Sequence, residues 1–193
     1  MLFRSYCLTA TLWSVGYFFW QISASPEAAY FWCKVLMVGA ILIPIYQTRF
    51  IRRVLNLKIE GKLVFLMYLY CFVFLLVNFG DYLVATVAPR GGFLYWPVAG
   101  DFFIFFLLVW IGIVIYNFVL ILTHLNKVDE KTRIFLKYLI VATIISYIGG
   151  VTNYPLWFGV NIKPWGNILV TGYVLIVAYS IIQIGRASCR ERV

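Results

Sequence analysis

Residues 102–123 read FFIFFLLVWIGIVIYNFVLILT and contain no Asp, Glu, Lys or Arg. About 20 consecutive apolar residues are enough for a helix to cross the hydrocarbon core of a bilayer. A soluble domain rarely buries a helix that is apolar on every face, because most helices of soluble proteins keep one polar side. This segment therefore predicts a transmembrane helix and places the chain among membrane proteins.

The composition of the whole chain agrees with that assignment. The 193 residues are 64% hydrophobic, 20% aromatic and 12% charged, whereas soluble domains carry roughly 45–50% apolar and about 25% charged residues. Such a chain has too little polar surface to cover a soluble globule, and its composition also excludes disorder, collagen and a disulfide scaffold. The net charge of +9 would suggest a nucleic-acid partner in a soluble protein, so the placement of the basic residues decides its meaning.

Similar apolar runs recur along the chain and predict six spans. We therefore expect an all-α, multi-pass transmembrane helix bundle that comprises residues 1–183. Its spans lie at about 5–22, 28–47, 63–84, 102–123, 135–155 and 164–183. In the second span, Pro44 is expected to kink the helix or free a carbonyl. Lys34 is the only charge in that span, and its stem is long enough to snorkel towards the lipid headgroups.

The basic residues of the links predict the orientation of these spans. The second and fourth links carry Arg49, Arg52, Arg53, Lys58, Lys62, Lys127, Lys131, Arg133 and Lys137, whereas the alternate links carry only Arg90 and Lys163. Lys and Arg are enriched in cytoplasmic loops. The chain is therefore expected in the cell membrane with both termini in the cytoplasm. The excess positive charge fixes topology, so the expected partner is the lipid bilayer and not nucleic acid.

Residues 184–193, which read IGRASCRERV, differ in character from everything before them. The string resembles one translated frame of a short-read sequencing adapter. We interpret it as an artefact that does not belong to the fold. The alternative interpretation is a juxtamembrane basic segment that binds anionic lipid.

Tryptophans gather beside the three links that are assigned to the outside. They are Trp20, Trp32, Trp96, Trp157 and Trp165. Aromatic belts normally mark both membrane interfaces, so this asymmetry predicts a structured outer rim. The alternative is ordinary interfacial anchoring.

Few polar residues lie near the outer ends of the predicted spans. We predict that Asn78, Asp81, Asn153 and Trp157 line a small pocket open to the outer leaflet, because ligand sites combine apolar walls with a few polar groups. The alternative is that the polar residues only assist packing and bending, and that Asp81 is an interfacial carboxylate facing water.

No motif of a known catalytic site is visible in the sequence. The chain has one His and contains no P-loop, no Gly-x-Ser-x-Gly elbow and no dinucleotide fingerprint. Cys7, Cys33 and Cys71 lack metal-ligand spacing and are interpreted as packing residues. We therefore expect no enzymatic activity in this chain, no cofactor and no metal site.

Several short stretches share a pattern of aromatic, Gly and Pro positions. They are LWSVGY (12–17), FWCKVLMVG (31–39), IP (43–44), RIFLKYL (133–139), GG (149–150), NYP (153–155), IKPWG (162–166) and IVAYSI (176–181). This pattern, spread over nearly the whole chain, resembles the N-terminal seven-helix membrane region of bacterial and archaeal sensor histidine kinases.

The resemblance implies both a function and a larger parent protein. In that family one more helix precedes the Trp-containing helix, and the last helix leads into a cytoplasmic output module, most often a kinase and sometimes a diguanylate cyclase. The chain is then a fragment that lacks the first helix and the output module. The resemblance implies a signal-input domain for a small-molecule or membrane-dissolved signal, with a homodimer formed through the missing module. The alternative function is a small multi-pass transporter or channel subunit.

Overall fold

The computed structural model describes residues 2–173, 175–177 and 179. In chain order the elements are α1 (Leu2–Gln21), α2 (Pro26–Val54), α3 (Gly61–Phe79), β1 (Val84–Arg90), β2 (Phe93–Ala99), α4 (Phe103–His124), α5 (Glu130–Val151), α6 (Tyr154–Trp157) and a 3₁₀ turn (Trp165–Asn167). The chain divides into two compact units between Val119 and Leu120. The segment interpreted as an adapter artefact, 184–193, lies outside the described residues.

Four helices in the described part of the chain are long and apolar enough to cross a membrane. They are α2, α3, α4 and the segment Glu130–Trp157, in agreement with a mostly helical membrane protein. The expected count of six spans is not confirmed. The first predicted span forms α1, whose 20 residues include Arg, Ser, Thr and Tyr side chains that lower its hydropathy. The last predicted span gives a shorter apolar helix, Trp165–Val177, and residues 180–183 of that span lie outside the described residues.

Side-chain hydrogen bonds are found at the start of α2 and at its internal proline. The Ser25 side chain accepts a hydrogen bond from the Ala28 N–H at 3.2 Å, and Pro26 stands at the first helical position, where no N–H is needed. Pro44 lies within the helix, which continues on both sides of it. The Thr48 hydroxyl donates to the Pro44 carbonyl oxygen at 2.8 Å.

α1 and α2 pack closely through glycine in both helices. A Cβ atom added at Gly16 would lie 2.6 Å from the Leu36 backbone nitrogen, and one added at Gly39 would lie 2.6 Å from the Trp13 nitrogen. These distances are shorter than van der Waals contact, so only glycine allows the two backbones to approach this closely. The two contacts run in opposite chain directions, as expected for an antiparallel pair joined by a short turn.

A β-hairpin follows α3 and corrects the expectation of an all-α chain. The predicted third span, 63–84, ends early, because α3 stops at Phe79 and Val84 begins the first strand. β1 and β2 pair antiparallel. Gly91 and Gly92 connect them with φ angles of 58° and 91°. Two successive positive φ values are typical of tight hairpin turns and favour glycine.

The second unit is built around α5 and the segment that follows it. Asp129 caps α5 by accepting the Thr132 N–H at 3.0 Å, and this hydrogen bond lowers the pKa of the Asp129 carboxyl. At the other end of the helix, a Cβ atom added at Gly149 would lie 2.4 Å from the Gly166 carbonyl oxygen. The end of α5 and the 3₁₀ turn are therefore in direct backbone contact.

Candidate functional site

A polar cluster in the first unit is organised around one lysine of α2. The Lys34 ammonium lies 3.3 Å from Asp81 Oδ1 and donates to the Phe79 carbonyl oxygen at 3.0 Å. The Asn78 amide donates to the Lys34 carbonyl oxygen at 3.0 Å. Lys34 thus holds α2 to the last turn of α3 and to the segment that enters the hairpin. We call Tyr30, Lys34, Asn78 and Asp81 the Lys34 cluster.

Tyr30 completes the cluster one helical turn before Lys34. Its hydroxyl donates to Asp81 Oδ1, and its oxygen also lies 3.2 Å from the carbonyl oxygen of Val84 at the start of β1. The Lys34 ammonium lies 4.5 Å from the centre of the Tyr30 ring, within range of a cation–π interaction. One carboxylate oxygen therefore faces both a hydroxyl donor and a cation.

The charges of the cluster are exposed to different extents. The side chain of Asp81 is 77% exposed, whereas that of Lys34 is 21% exposed. The hydrogen bond from Tyr30, and then the charge and hydrogen bond of Lys34, lower the pKa of the Asp81 carboxyl below its usual value. Asp81 is therefore an ionised counter-ion at neutral pH. Its open side remains accessible to a cation or to a hydrogen-bond donor.

The structure brings together two of the four predicted pocket residues. Asn78 is buried and has a buried Oδ1 without a hydrogen-bond partner, while the side chain of Asp81 is exposed. Lys34 is the residue that connects them. It binds protein groups where snorkelling towards lipid headgroups was expected. The signal in the sequence is the Tyr30–Lys34 spacing of four residues, which places both side chains on one face of α2.

The other two predicted residues belong to the second unit. The Asn153 amide donates to Asn167 Oδ1, and the Asn167 amide donates back to Asn153 Oδ1 at 2.7 Å. Asn153 also donates to the Gly150 carbonyl oxygen at 3.0 Å, and Trp157 is buried. Asn153 therefore joins the end of α5 to the 3₁₀ turn. A single pocket lined by all four predicted residues stays a prediction.

A second feature of the first unit connects α1 to the hairpin. The Trp20 indole N–H donates to the Tyr95 carbonyl oxygen at 2.6 Å, and its ring centre lies 4.8 Å from that of Trp96. Trp96 is fully buried and also contacts Phe93 at 4.7 Å. We call Trp20, Phe93, Tyr95 and Trp96 the tryptophan cluster. Trp20 and Trp96 are buried, which favours a structured arrangement over interfacial anchoring at these two positions, whereas Trp165 is exposed.

These geometries limit the chemistry that the described residues can perform. Within the described ranges, no group of three or more His, Cys, Asp and Glu side chains is placed to hold a metal ion. The Lys34 cluster offers one carboxylate, one ammonium and one phenol, which can exchange partners with a charged or hydrogen-bonding ligand. Comparison with known proteins found no family model, no curated protein and no solved structure that matches this chain.

Proposed function

We propose that this chain is the membrane-embedded signal-input domain of a sensor histidine kinase or a related signalling enzyme. In this proposal both ends of the chain face the cytoplasm, and the last helix connects to the output domain of a longer, homodimeric protein. The signal is a small molecule that arrives from outside or dissolves in the membrane. The sequence resemblance and the distribution of basic residues in the links support this orientation and role.

The observation that carries the proposal is the Lys34 cluster. One cation connects α2, the end of α3 and the entrance to the hairpin, so its contacts depend on how these elements are packed. A ligand changes a conformational equilibrium only by binding two arrangements with different affinities. A ligand that takes over the exposed Asp81 or competes for Lys34 would provide that difference and shift the helices that meet there.

Grafting residues 1–183 onto the dimeric catalytic core of a histidine kinase tests this function. The measurement is autophosphorylation in proteoliposomes for the unchanged fusion protein and for Lys34→Gln, Asp81→Asn and Tyr30→Phe. Coupling between sites is commonly worth about 5–150-fold, so each cluster variant should change kinase output about fivefold or more. Asp101→Asn is the matched control, because Asp101 is an exposed acid near the start of α4.

The outcome for all variants together decides the proposal. A changed output in the cluster variants, with Asp101→Asn close to the unchanged fusion, supports a signal-input domain. Unchanged output in every folded cluster variant would contradict it. Solute flux through liposomes containing the unfused chain would instead favour the transporter or channel alternative.

A further inference from the structure

A cleft of about 440 Å³ lies between α2, α3 and α4 in the first unit. Its walls are mostly apolar and include Ile45, Thr48, Leu66, Met67, Ile113 and Tyr116. The Thr48 hydroxyl is already bonded to the carbonyl oxygen of Pro44, so it adds little polarity. The volume falls within the range of about 300–1,000 Å³ that is usual for ligand sites.

Arg52 lies one turn beyond Thr48 and is bound to the wall of this cleft. Its Nη1 donates to the Tyr116 hydroxyl at 2.7 Å, and its Nη2 donates to the carbonyl oxygen of Lys58. The residue is only 9% exposed, and its Nε is buried without a hydrogen-bond partner. The Nε of Arg49, one turn earlier, is also buried and has no such partner.

The partners that the described residues offer to the Arg52 guanidinium are neutral acceptors. Among the residues that the structure describes, no carboxylate lies within salt-bridge distance of its guanidinium, and the ion pair found is that of Lys34 with Asp81. A buried charge is costly unless it is paired. A phosphate oxygen would supply the missing negative charge, and guanidinium groups bind phosphate well because their donors form a rigid fork.

Two further features of the cleft suit a phospholipid, one for its headgroup and one for its acyl chain. Lys62 immediately precedes Leu63, which lines the cleft, so a second cation belongs to the same link. On the opposite wall, a Cβ atom added at Gly112 would meet no atom within 4 Å. The cleft therefore has open apolar space beside α4 and basic residues at the α2–α3 end, the arrangement of an acyl chain and a phosphate headgroup.

We propose that this cleft binds one acyl chain of an anionic phospholipid whose phosphate contacts Arg52. The lipid comes from the leaflet next to the α2–α3 link. The proposal is independent of a signalling role and requires only that these helices are in a bilayer. Because Arg52 also bonds Tyr116, the headgroup would be placed at a joint between α2 and α4.

The first arm of the test concerns the headgroup. The full chain is placed in nanodiscs that contain equal amounts of phosphatidylglycerol and phosphatidylcholine. It is then released, and native mass spectrometry identifies the lipids that it retains. Hydrogen bonds to a charged group contribute enough for about a tenfold preference, so phosphatidylglycerol should be retained about tenfold over phosphatidylcholine. Arg52→Gln should remove that preference. Arg53→Gln, which changes an exposed arginine next in sequence, should keep it.

The second arm concerns the acyl chain. Gly112→Phe fills the open space of the cleft and should lower retained phosphatidylglycerol about fivefold or more. Ile115→Phe should not, because Ile115 is exposed and does not line the cleft. Gly112→Leu is a smaller replacement for use if the Phe variant does not fold, as judged by its melting curve in detergent. Native-like lipid retention in a folded Gly112 variant would overturn the proposal. An equal loss of preference in Arg52→Gln and Arg53→Gln would do the same.

Discussion

Two cations on the same helix are stabilised in opposite ways. Lys34 lies near the start of α2 and Arg52 near its end, 18 residues apart in sequence, which corresponds to about 27 Å along a helix. Lys34 is paired with a carboxylate of the chain, Asp81. Arg52 is more deeply buried, and its hydrogen-bond partners among the described residues are the Tyr116 hydroxyl and the Lys58 carbonyl oxygen.

The difference lies in whether the described residues supply a counter-ion for the cation. At the Lys34 end the protein supplies both charges, so the local structure is internally neutral. At the Arg52 end no described carboxylate lies within salt-bridge distance of the guanidinium, although Glu60 lies in the same link. Conditions that change lipid charge should therefore act on Arg52 and not on Lys34.

The largest loss of unfolding free energy is expected from disrupting the packing of α1 against α2, the helix that carries both cations. Gly39 lies between them, and Gly39→Val would force a Cβ atom to within 2.6 Å of the Trp13 nitrogen. Overpacking of this kind costs about 2–3 kcal/mol of unfolding free energy. We expect that loss in reversible SDS unfolding followed by circular dichroism.

Gly112→Ala is the matched control for that variant. Its added Cβ meets no atom within 4 Å, and alanine is favoured over glycine within a helix by about 0.5–1 kcal/mol. The control should therefore leave stability unchanged or raise it slightly. A Gly39→Val protein as stable as the control would contradict the close packing of α1 on α2.

The second effect tests the Arg52 end alone. Arg52→Met removes hydrogen bonds from a charged donor to two acceptors, so we expect a loss of about 2 kcal/mol of unfolding free energy in bicelles rich in phosphatidylglycerol. In phosphatidylcholine bicelles the loss should be smaller, because the unpaired guanidinium already costs free energy there. Arg53→Met should change stability by less than about 0.5 kcal/mol in both. If Arg52→Met lost the same unfolding free energy in both kinds of bicelle, Arg52 would not depend on lipid charge. The proposed difference between the Lys34 and Arg52 ends of α2 would then be contradicted.

The positions of the long helices could be predicted from local composition, but several of their ends could not. The predicted span 28–47 forms α2, which continues to Val54, and the predicted span 135–155 corresponds to α5, which begins at Glu130 and ends at Val151. The charge-free run at 102–123 gives α4 almost residue for residue, since its helix spans Phe103–His124. The hairpin was missed because Val, Tyr and Trp also suit a membrane interface, and because Pro89 and Pro97 argue against a strand. A two-stranded sheet tolerates both prolines, since each strand has a free edge. The feature of the sequence that indicates a hairpin is the Gly91-Gly92 pair between two apolar runs.

The candidate site could be predicted only in part, for a different reason. Asn78 and Asp81 stand out because polar residues are rare at the end of an apolar run. Their connection through Lys34 depends on which turn of α2 faces α3, and this register follows from packing between helices. The pairing of Asn153 with Asn167 has the same origin, so local patterns reveal the members of a cluster before they reveal its contacts.

The smallest expected effect is on the pH dependence of the unfolding free energy, which should involve the Lys34 end of α2 and not the Arg52 end. Hydrogen bonding from Tyr30 and the charge of Lys34 lower the pKa of Asp81 in the folded protein. The resulting stabilisation is complete above the unfolded pKa of about 3.9 and is lost as the pH falls through the lower folded value. Among the described residues no carboxylate lies within salt-bridge distance of Arg52, so this contribution belongs to the Lys34 end alone.

Unfolding free energies measured from pH 6 downward should reveal that contribution. Asp129, whose pKa is also lowered, titrates in the same region, so the informative quantity is the difference between native protein and a variant. Asp81→Asn should make the acid decline shallower below about pH 4, whereas Arg52→Met should leave its slope unchanged. If Asp81→Asn and native protein lose stability in parallel, Asp81 has no lowered pKa. That result would contradict the statement that Asp81 neutralises Lys34, and the two ends of α2 would no longer differ in this respect.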